Sequence, residues 1–140
     1  MRLVIDTNVL LSALMSSASP SAQVLTLWRT RKFDLLTAIE QIDEIARVTR
    51  YSRIRARLAP ALAGRLVHRL RDVAVIVENL PKVDVSPDPD DNYLLALAEA
   101  GRAQFLVTGD KELLGLKRYK STRIVAPAGL VKLLTDQGTR

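Results

Sequence analysis

Short apolar runs that alternate with helical segments constrain the fold of this chain more than any other feature. Five runs have the length and the β-branched or apolar content of buried strands: Leu3–Ile5, Phe33–Leu36, Val73–Val77, Gln104–Thr108 and Ile124–Val125. Strands that alternate with helices favour a central parallel sheet with helices on both faces. The sequence therefore predicts an α/β fold of one domain, residues 1–137, followed by a short C-terminal tail, residues 138–140.

Local start and stop signals place three of the helices. Ser19 followed by Pro20 is typical of a helix N-terminus, with proline at the first helical position. Thr37 and Glu40 have the spacing of a capping box, which predicts the start of a second helix. Gly101 is expected to stop a third helix, which begins at Asp91.

Acidic residues follow the predicted strands. Asp6 comes directly after the first strand, Asp110 follows the fourth, and Asp91 begins the helix that leads into that fourth strand. The carboxyl ends of parallel strands meet at one edge of a sheet, where ligands bind. Carboxylates that converge there repel one another unless a cation neutralises them. Each aspartate could instead cap the helix that follows it.

A fourth acid is not fixed by spacing alone, because the second helix offers Glu40, Asp43 and Glu44. The capping box accounts for Glu40. The predicted core-facing side of this helix consists of Ile39, Ile42, Ile45 and Ala46. Periodicity places Glu44 away from that side, in solvent or in a cleft, and does not choose between them.

Composition excludes several kinds of chemistry. The chain has no cysteine and one histidine, His68, so disulfides, thiolate nucleophiles and cysteine-based metal sites are absent. Oxygen ligands favour Mg²⁺ or Mn²⁺. The net charge of +6 favours a polyanionic partner. A charge within the first six residues, and no apolar run long enough to span a bilayer, predict a cytoplasmic protein without membrane contact.

Four segments together resemble the PIN-domain nucleases, in order and in spacing. They are Val4–Asn8, Ile42–Ile45, Asp88–Asn92 and Val107–Asp110, and the similarity extends to Ile124–Pro127 before the last helix. The chain is most similar to the prokaryotic toxin branch related to the VapC ribonucleases of type II toxin–antitoxin systems. This resemblance implies a Rossmann-like sheet and a metal-dependent endoribonuclease that hydrolyses RNA phosphodiester bonds with Mg²⁺ or Mn²⁺.

The resemblance also assigns residues. It implies that Asp6, Glu44, Asp91 and Asp110 are the catalytic, metal-binding acids, which selects Glu44 from its helix. It implies that Asn8 and Thr108 are polar neighbours that orient the acids or their waters. Asp88 and Asp90 are interpreted as loop or capping residues, and a role for either at the metal site stays open.

A basic stretch follows the Glu44 helix, and Arg47, Arg50 and Arg53 are candidates for contact with an RNA backbone. The alternative is an ordinary solvated helical face. The resemblance further implies a cognate antitoxin protein and a homodimer. Other functions compatible with the sequence are a housekeeping RNA-processing nuclease and a non-catalytic RNA- or metal-binding module. An aspartyl-phosphate phosphatase is disfavoured, because Asn8 stands where such enzymes place a second aspartate.

Overall fold

A computed structural model describes residues 1–138, in which strands and helices alternate along the chain. The strands are β1 (Arg2–Ile5), β2 (Asp34–Thr37), β3 (Val75–Ile76), β4 (Phe105–Val107), β5 (Arg118–Tyr119) and β6 (Thr122–Val125). The helices are α1 (Thr7–Met15), α2 (Pro20–Arg29), α3 (Ile39–Val48), α4 (Ser52–Arg55), α5 (Pro60–Val73), α6 (Asn92–Gly101), α7 (Lys111–Leu116) and α8 (Pro127–Gly138). Of the predicted tail, residues 139 and 140 lie outside the described residues.

The strands form one sheet in the order β3-β2-β1-β4-β6-β5. β1 lies between β2 and β4 and pairs with both in parallel, and β6 extends the parallel sheet from β4. Only β5 runs antiparallel to its neighbour in the part of the chain that the structure describes. The predicted α/β class with a mostly parallel sheet is confirmed.

Helices cover both faces of the sheet. Alternate residues of each central strand point to opposite faces, so each strand presents apolar side chains to both layers of helices. Leu3 and Ile5 pack with α1, α2, α5 and α8, whereas Val4 packs with α6 and α7 on the other face. All three side chains are at most 1% exposed. This two-sided burial explains why the central strands read as continuous apolar runs.

Capping signals in the sequence predicted two helix N-termini, and the structure has one of these two caps. Ser19 caps α2 as predicted, accepting a hydrogen bond from the backbone N–H of Ala22. The capping box at Thr37 is wrong, since Thr37 ends β2 and no side chain caps α3. The Thr37 hydroxyl instead donates to Gln41 Oε1 at 2.7 Å.

Gly101 does not stop α6 in the expected way. It is the last residue of the helix, and the left-handed residue after it is Arg102, with φ of 56°. A Cβ built on Gly101 would lie 2.4 Å from Leu36 Cδ1. The residue is therefore explained by the close approach of α6 to β2 rather than by backbone conformation.

Other differences lie in α3 and in two surface elements. Ile39 was expected in the core but is 52% exposed, and the fully buried position near it belongs to Gln41. The helix α4 and the β5–β6 hairpin were not predicted. Most of Val73–Val77 is not strand, because Val73 ends α5 and β3 has two residues. No helix within residues 1–138 is long and apolar enough to cross a membrane.

Candidate active site

Asp6 lies at the centre of the sheet's carboxyl edge, between the end of β1 and the start of α1. Its backbone N–H donates to Val107 O at 2.9 Å, which continues the pairing with β4. Its Oδ1 accepts the backbone N–H of Asn8 at 3.3 Å, and its Oδ2 accepts the Thr108 hydroxyl at 2.8 Å. The side chain is 7% exposed. Asp6 is therefore fixed by hydrogen bonds to both of its oxygens.

Thr108 connects Asp6 to Asp110. Its buried hydroxyl donates to Asp6 and accepts the backbone N–H of Asp110 at 3.0 Å. Asp110 in turn caps α7, because its Oδ2 accepts the Leu113 N–H at 2.9 Å. The Thr108 side chain thus bonds both acids, whereas Asn8 contacts Asp6 through its backbone N–H.

Glu44 reaches the same edge from α3. The Tyr93 hydroxyl, at the start of α6, donates to Glu44 Oε1 at 2.6 Å. The other two acids of α3, Glu40 and Asp43, are exposed. Of the three acids that the sequence left open, Glu44 is the one whose charge acts on Asp6.

Asp91 ends a 3-10 turn, Pro89–Asp91, directly before α6. Partial burial, followed by the negative charges of Asp6, Asp88, Asp110 and Glu44, raises the pKa of Asp91 to about 7. Asp88 thus acts on the acidic cluster, while it also accepts the Asp90 N–H at 3.0 Å. The raised pKa of Asp91 thus reflects its partial burial first and the neighbouring negative charges second.

The crowding also affects Asp6. Burial raises the pKa of Asp6 first, and the charges of Glu44 and Asp110 raise it further. The hydrogen bonds from Thr108 and from the Asn8 backbone act in the opposite direction, since they stabilise the carboxylate. Four acids from different elements thus act on one another at one edge of the sheet, as the strand topology predicts.

The donor chemistry of this acidic cluster fits a hard divalent cation. Among the described residues, no three acidic or histidine side chains are close enough to form a protein-only metal cage. Mg²⁺ rarely uses such a cage, because it keeps several waters and takes one or two carboxylates together with substrate phosphates. Asp6 and Asp110 could hold it, because both line the same cleft and the Thr108 hydroxyl bonds the Asp6 side chain and the Asp110 backbone N–H.

A cleft of about 310 Å³ opens beside this pair. Its lining includes Asp6, Asn8 and Asp110, together with the hydroxyl-bearing Ser12 and Ser21. Glu44 and Asp91 are not part of this lining. The cleft gives access to the buried carboxylate of Asp6 and has room for a phosphodiester and ordered water.

The candidate RNA-contacting arginines lie on α3, just after it and on α4. Arg47 follows Glu44 by three residues on α3, Arg50 comes just after the helix, and Arg53 lies on α4. All three are exposed, and none of them pairs with a carboxylate within residues 1–138. Their charges are therefore available to a polyanion.

Sequence reasoning missed three polar residues next to the acids. Gln41 and Thr7 are buried, and Tyr93 bonds Glu44 directly. The only available signal was Gln41, a polar residue among the apolar positions of α3. Periodicity leaves it outside the predicted core-facing side of the helix. Asn92 was also missed, and its Oδ1 accepts the backbone N–H groups of Val85 and Ser86, which anchors the loop before Asp91.

The family comparison agrees with this geometry. Residues 2–112 match the model of the PIN domain, and the chain therefore belongs to the PIN-domain family. The matched segment contains all four acids of the cluster. PIN domains are a family of nucleases, and they typically bind a divalent metal. Among curated proteins, none matches the chain.

Proposed function

We propose that this chain is a Mg²⁺- or Mn²⁺-dependent endoribonuclease and the toxin component of a type II toxin–antitoxin system. The observation that supports the chemistry is the convergence of Asp6, Glu44, Asp91 and Asp110, which act on one another electrostatically at the sheet's carboxyl edge. Such a concentration of negative charge beside an open cleft stabilises a bound cation. The cation in turn recruits the phosphate of an otherwise repelled RNA.

In this mechanism the protein supplies position and charge. Asp6 and Asp110 would hold the metal, and Glu44 and Asp91 would complete its surroundings directly or through water. A metal held there would supply a water of lowered pKa and a positive charge to offset the charge that develops on the phosphate. Thr108 keeps the two direct ligands in register through its bonds to both. Water attacks phosphorus, the P–O bond to the leaving oxygen breaks, and that oxygen takes up a proton.

The arginines after Glu44 bind the RNA backbone. Arg47 lies on the same side of α3 as Glu44, since residues three apart are neighbours on a helix. Removing one phosphate contact reduces the slope of log affinity against log salt concentration by about 0.7–0.9. We expect this for Arg47→Ala and not for Arg118→Ala, which lies on β5 at the far edge of the sheet.

The decisive experiment is cleavage of a mixed structured RNA by purified protein, with Mg²⁺ or Mn²⁺ against EDTA. Asp6→Asn preserves the shape of the side chain and removes its charge, and we expect metal-dependent cleavage to be largely lost. Asp34→Asn is the matched control, because Asp34 is an exposed aspartate at the amino end of β2. Equal cleavage by both variants would contradict the assignment of the site.

The toxin role is tested separately. A toxin arrests growth when expressed alone, is rescued by the product of a short reading frame beside its gene, and loses toxicity with Asp6→Asn. Metal-dependent cleavage without growth arrest would favour the housekeeping nuclease. Metal-dependent RNA binding without cleavage would favour the non-catalytic module. The cytoplasmic location, the antitoxin partner and the homodimer belong to the same proposal.

A further inference from the structure

A continuous chain of hydrogen bonds begins in the buried core behind the acidic cluster. The Thr37 hydroxyl donates to Gln41 Oε1 at 2.7 Å, which leaves the amide nitrogen of Gln41 to donate. That nitrogen donates to Ile5 O at 2.6 Å and to Thr7 Oγ1 at 3.5 Å. Thr37 and Gln41 are fully buried. Since the Ile5 carbonyl can only accept, the orientation of the Gln41 amide is fixed.

The chain then runs outward to the acid on α3. Thr7 Oγ1 lies 3.3 Å from the Tyr93 hydroxyl, and that hydroxyl lies 2.6 Å from Glu44 Oε1. A carboxylate only accepts, so Tyr93 gives its single proton to Glu44 and its oxygen accepts from Thr7. Every donated hydrogen of the chain has one acceptor in this direction, since the Gln41 amide nitrogen carries two hydrogens. The bonds therefore tie Glu44 to the backbone immediately before Asp6.

We propose that Tyr93 is a positioning residue that holds Glu44 so that its second oxygen, Oε2, serves the metal or a water bound to it. Oε2 has no hydrogen-bond donor among the described residues, whereas Oε1 is taken by the phenol. This inference rests on the proposed function, because it assigns Glu44 to the metal site. Without the phenol, Glu44 gains rotamers that do not face the cluster, and its contribution to binding decreases.

Tyr93→Phe isolates this role, because it removes the hydroxyl and keeps the ring that packs against the core. Loss of a residue that orients a metal-binding side chain typically reduces metal affinity about 10–100-fold. We expect the dissociation constant for Mn²⁺, measured by calorimetry without RNA, to rise about tenfold. Excess Mn²⁺ should restore cleavage to the wild-type rate, since the variant weakens binding and leaves the reaction intact.

Tyr119→Phe is the matched control. Its hydroxyl also donates to a glutamate, Glu99, at 3.3 Å, but on the β5 side of the sheet away from the cluster. We expect Mn²⁺ affinity within about twofold of wild type for this variant. An equal loss of affinity in the two variants would overturn the proposal, because it would indicate a general effect of removing a phenol.

A double-mutant cycle tests whether Tyr93 acts through Glu44. Glu44→Ala should weaken Mn²⁺ binding, and adding Tyr93→Phe to it should have no further effect. A tenfold loss in both backgrounds would overturn the inference. Unchanged affinity in Tyr93→Phe, with binding abolished by Asp6→Asn, would overturn it and leave the proposed function intact. Unchanged affinity in Asp6→Asn would refute both.

Thr7→Val provides a second variant if Tyr93→Phe does not fold. It preserves the size of a buried side chain and removes the donor to the phenol oxygen. We expect the Mn²⁺ dissociation constant to rise about threefold, less than for Tyr93→Phe, because the phenol still bonds Glu44. Wild-type affinity in a folded Thr7→Val protein would contradict the continuous chain. Thermal unfolding in EDTA establishes folding for each variant.

Discussion

Charging Asp91 in the metal-free protein costs folding free energy, and this cost should appear as a pH dependence of stability. Partial burial and then the charge of Asp6 raise the pKa of Asp91 from 3.8 to about 7 in the folded chain. Between these values the folded state keeps a proton that the unfolded state releases, so the free energy of unfolding falls as pH rises. The loss begins above the unfolded pKa and is complete above about pH 7. Burial raises the pKa of Asp6 as well, which acts in the same direction.

The magnitude follows from the pKa difference. Without solvent screening it corresponds to about 4 kcal/mol across the whole range. Asp91 is only partly buried, so water screens its interactions, and we reduce the figure to about 1–2 kcal/mol. A pKa shift reduced in this way titrates mostly between about pH 4 and pH 7. We therefore expect the free energy of unfolding in EDTA to fall by about 1 kcal/mol over that interval.

The assay is urea unfolding followed by the fluorescence of Trp28, which is buried. Asp91→Asn should remove most of the decrease, because its amide does not titrate. Asp90→Asn is the control, since Asp90 is exposed and adjacent but contributes nothing to the pKa of Asp91. Titrating groups outside the acidic cluster affect all three proteins equally and cancel in the comparison. Stability that does not fall with pH in the wild type, or that falls equally in Asp91→Asn, would refute the reasoning.

Mn²⁺ should reverse the sign of this dependence. Metal binds the deprotonated carboxylates, so its stabilising effect grows as the pH rises. At a concentration of about 100 times the dissociation constant, a ligand that binds only the folded state stabilises it by about 2.7 kcal/mol. We expect wild-type protein in saturating Mn²⁺ to be more stable at pH 8 than at pH 5. If the free energy of unfolding in Mn²⁺ decreased with pH as much as in EDTA, the metal would bind away from the acidic cluster.

Further outcomes concern two glycines and a threonine. Gly101→Ala should destabilise the fold by about 1–3 kcal/mol in urea unfolding, because its Cβ would collide with buried Leu36. Gly64→Ala, with open space around it on α5, should instead stabilise by about 0.5–1 kcal/mol, and the same sign for both would contradict the packing argument. Thr108→Val removes the hydroxyl that donates to Asp6, so the pKa of Asp6 should rise and the acid limb of the cleavage pH profile should move to higher pH. An unchanged acid limb would show that Asp6 does not limit the reaction at low pH.

Features that depend on local pattern and topology were predictable from the sequence. The central strands were predicted correctly because both of their faces are buried. No polar residue therefore interrupts the apolar run at Leu3–Ile5. The meeting of Asp6 with Asp110 followed from the rule that parallel strands end at one edge. Both inferences use information contained within a few residues of chain and one general property of sheets.

Features that depend on contacts between distant segments were not predictable. Gln41 takes a core position that periodicity left outside the predicted core-facing side of α3, because the Ile5 carbonyl and the Thr37 hydroxyl supply partners from β1 and β2. Those partners are 36 and 4 residues away, and only the tertiary fold brings the more distant one to Gln41. The expected capping box does not form, since the Thr37 hydroxyl donates to the Gln41 side chain and accepts no backbone N–H of α3. The pairing of Tyr93 with Glu44, across 49 residues, has no local signal at all.

The two interpretations of the acids, as helix caps or as metal ligands, turn out not to exclude each other. Asp110 caps α7 with Oδ2 and leaves Oδ1 without a protein donor among the described residues. Asp6 caps α1 with Oδ1 and accepts from Thr108 with Oδ2, and each carboxylate oxygen has two lone pairs. Capping holds the carboxylate at a fixed angle to the strand that precedes it, which is what a metal ligand needs. An aspartate at the N-cap position after a parallel strand is therefore held rigidly and also lies at the carboxyl edge of the sheet.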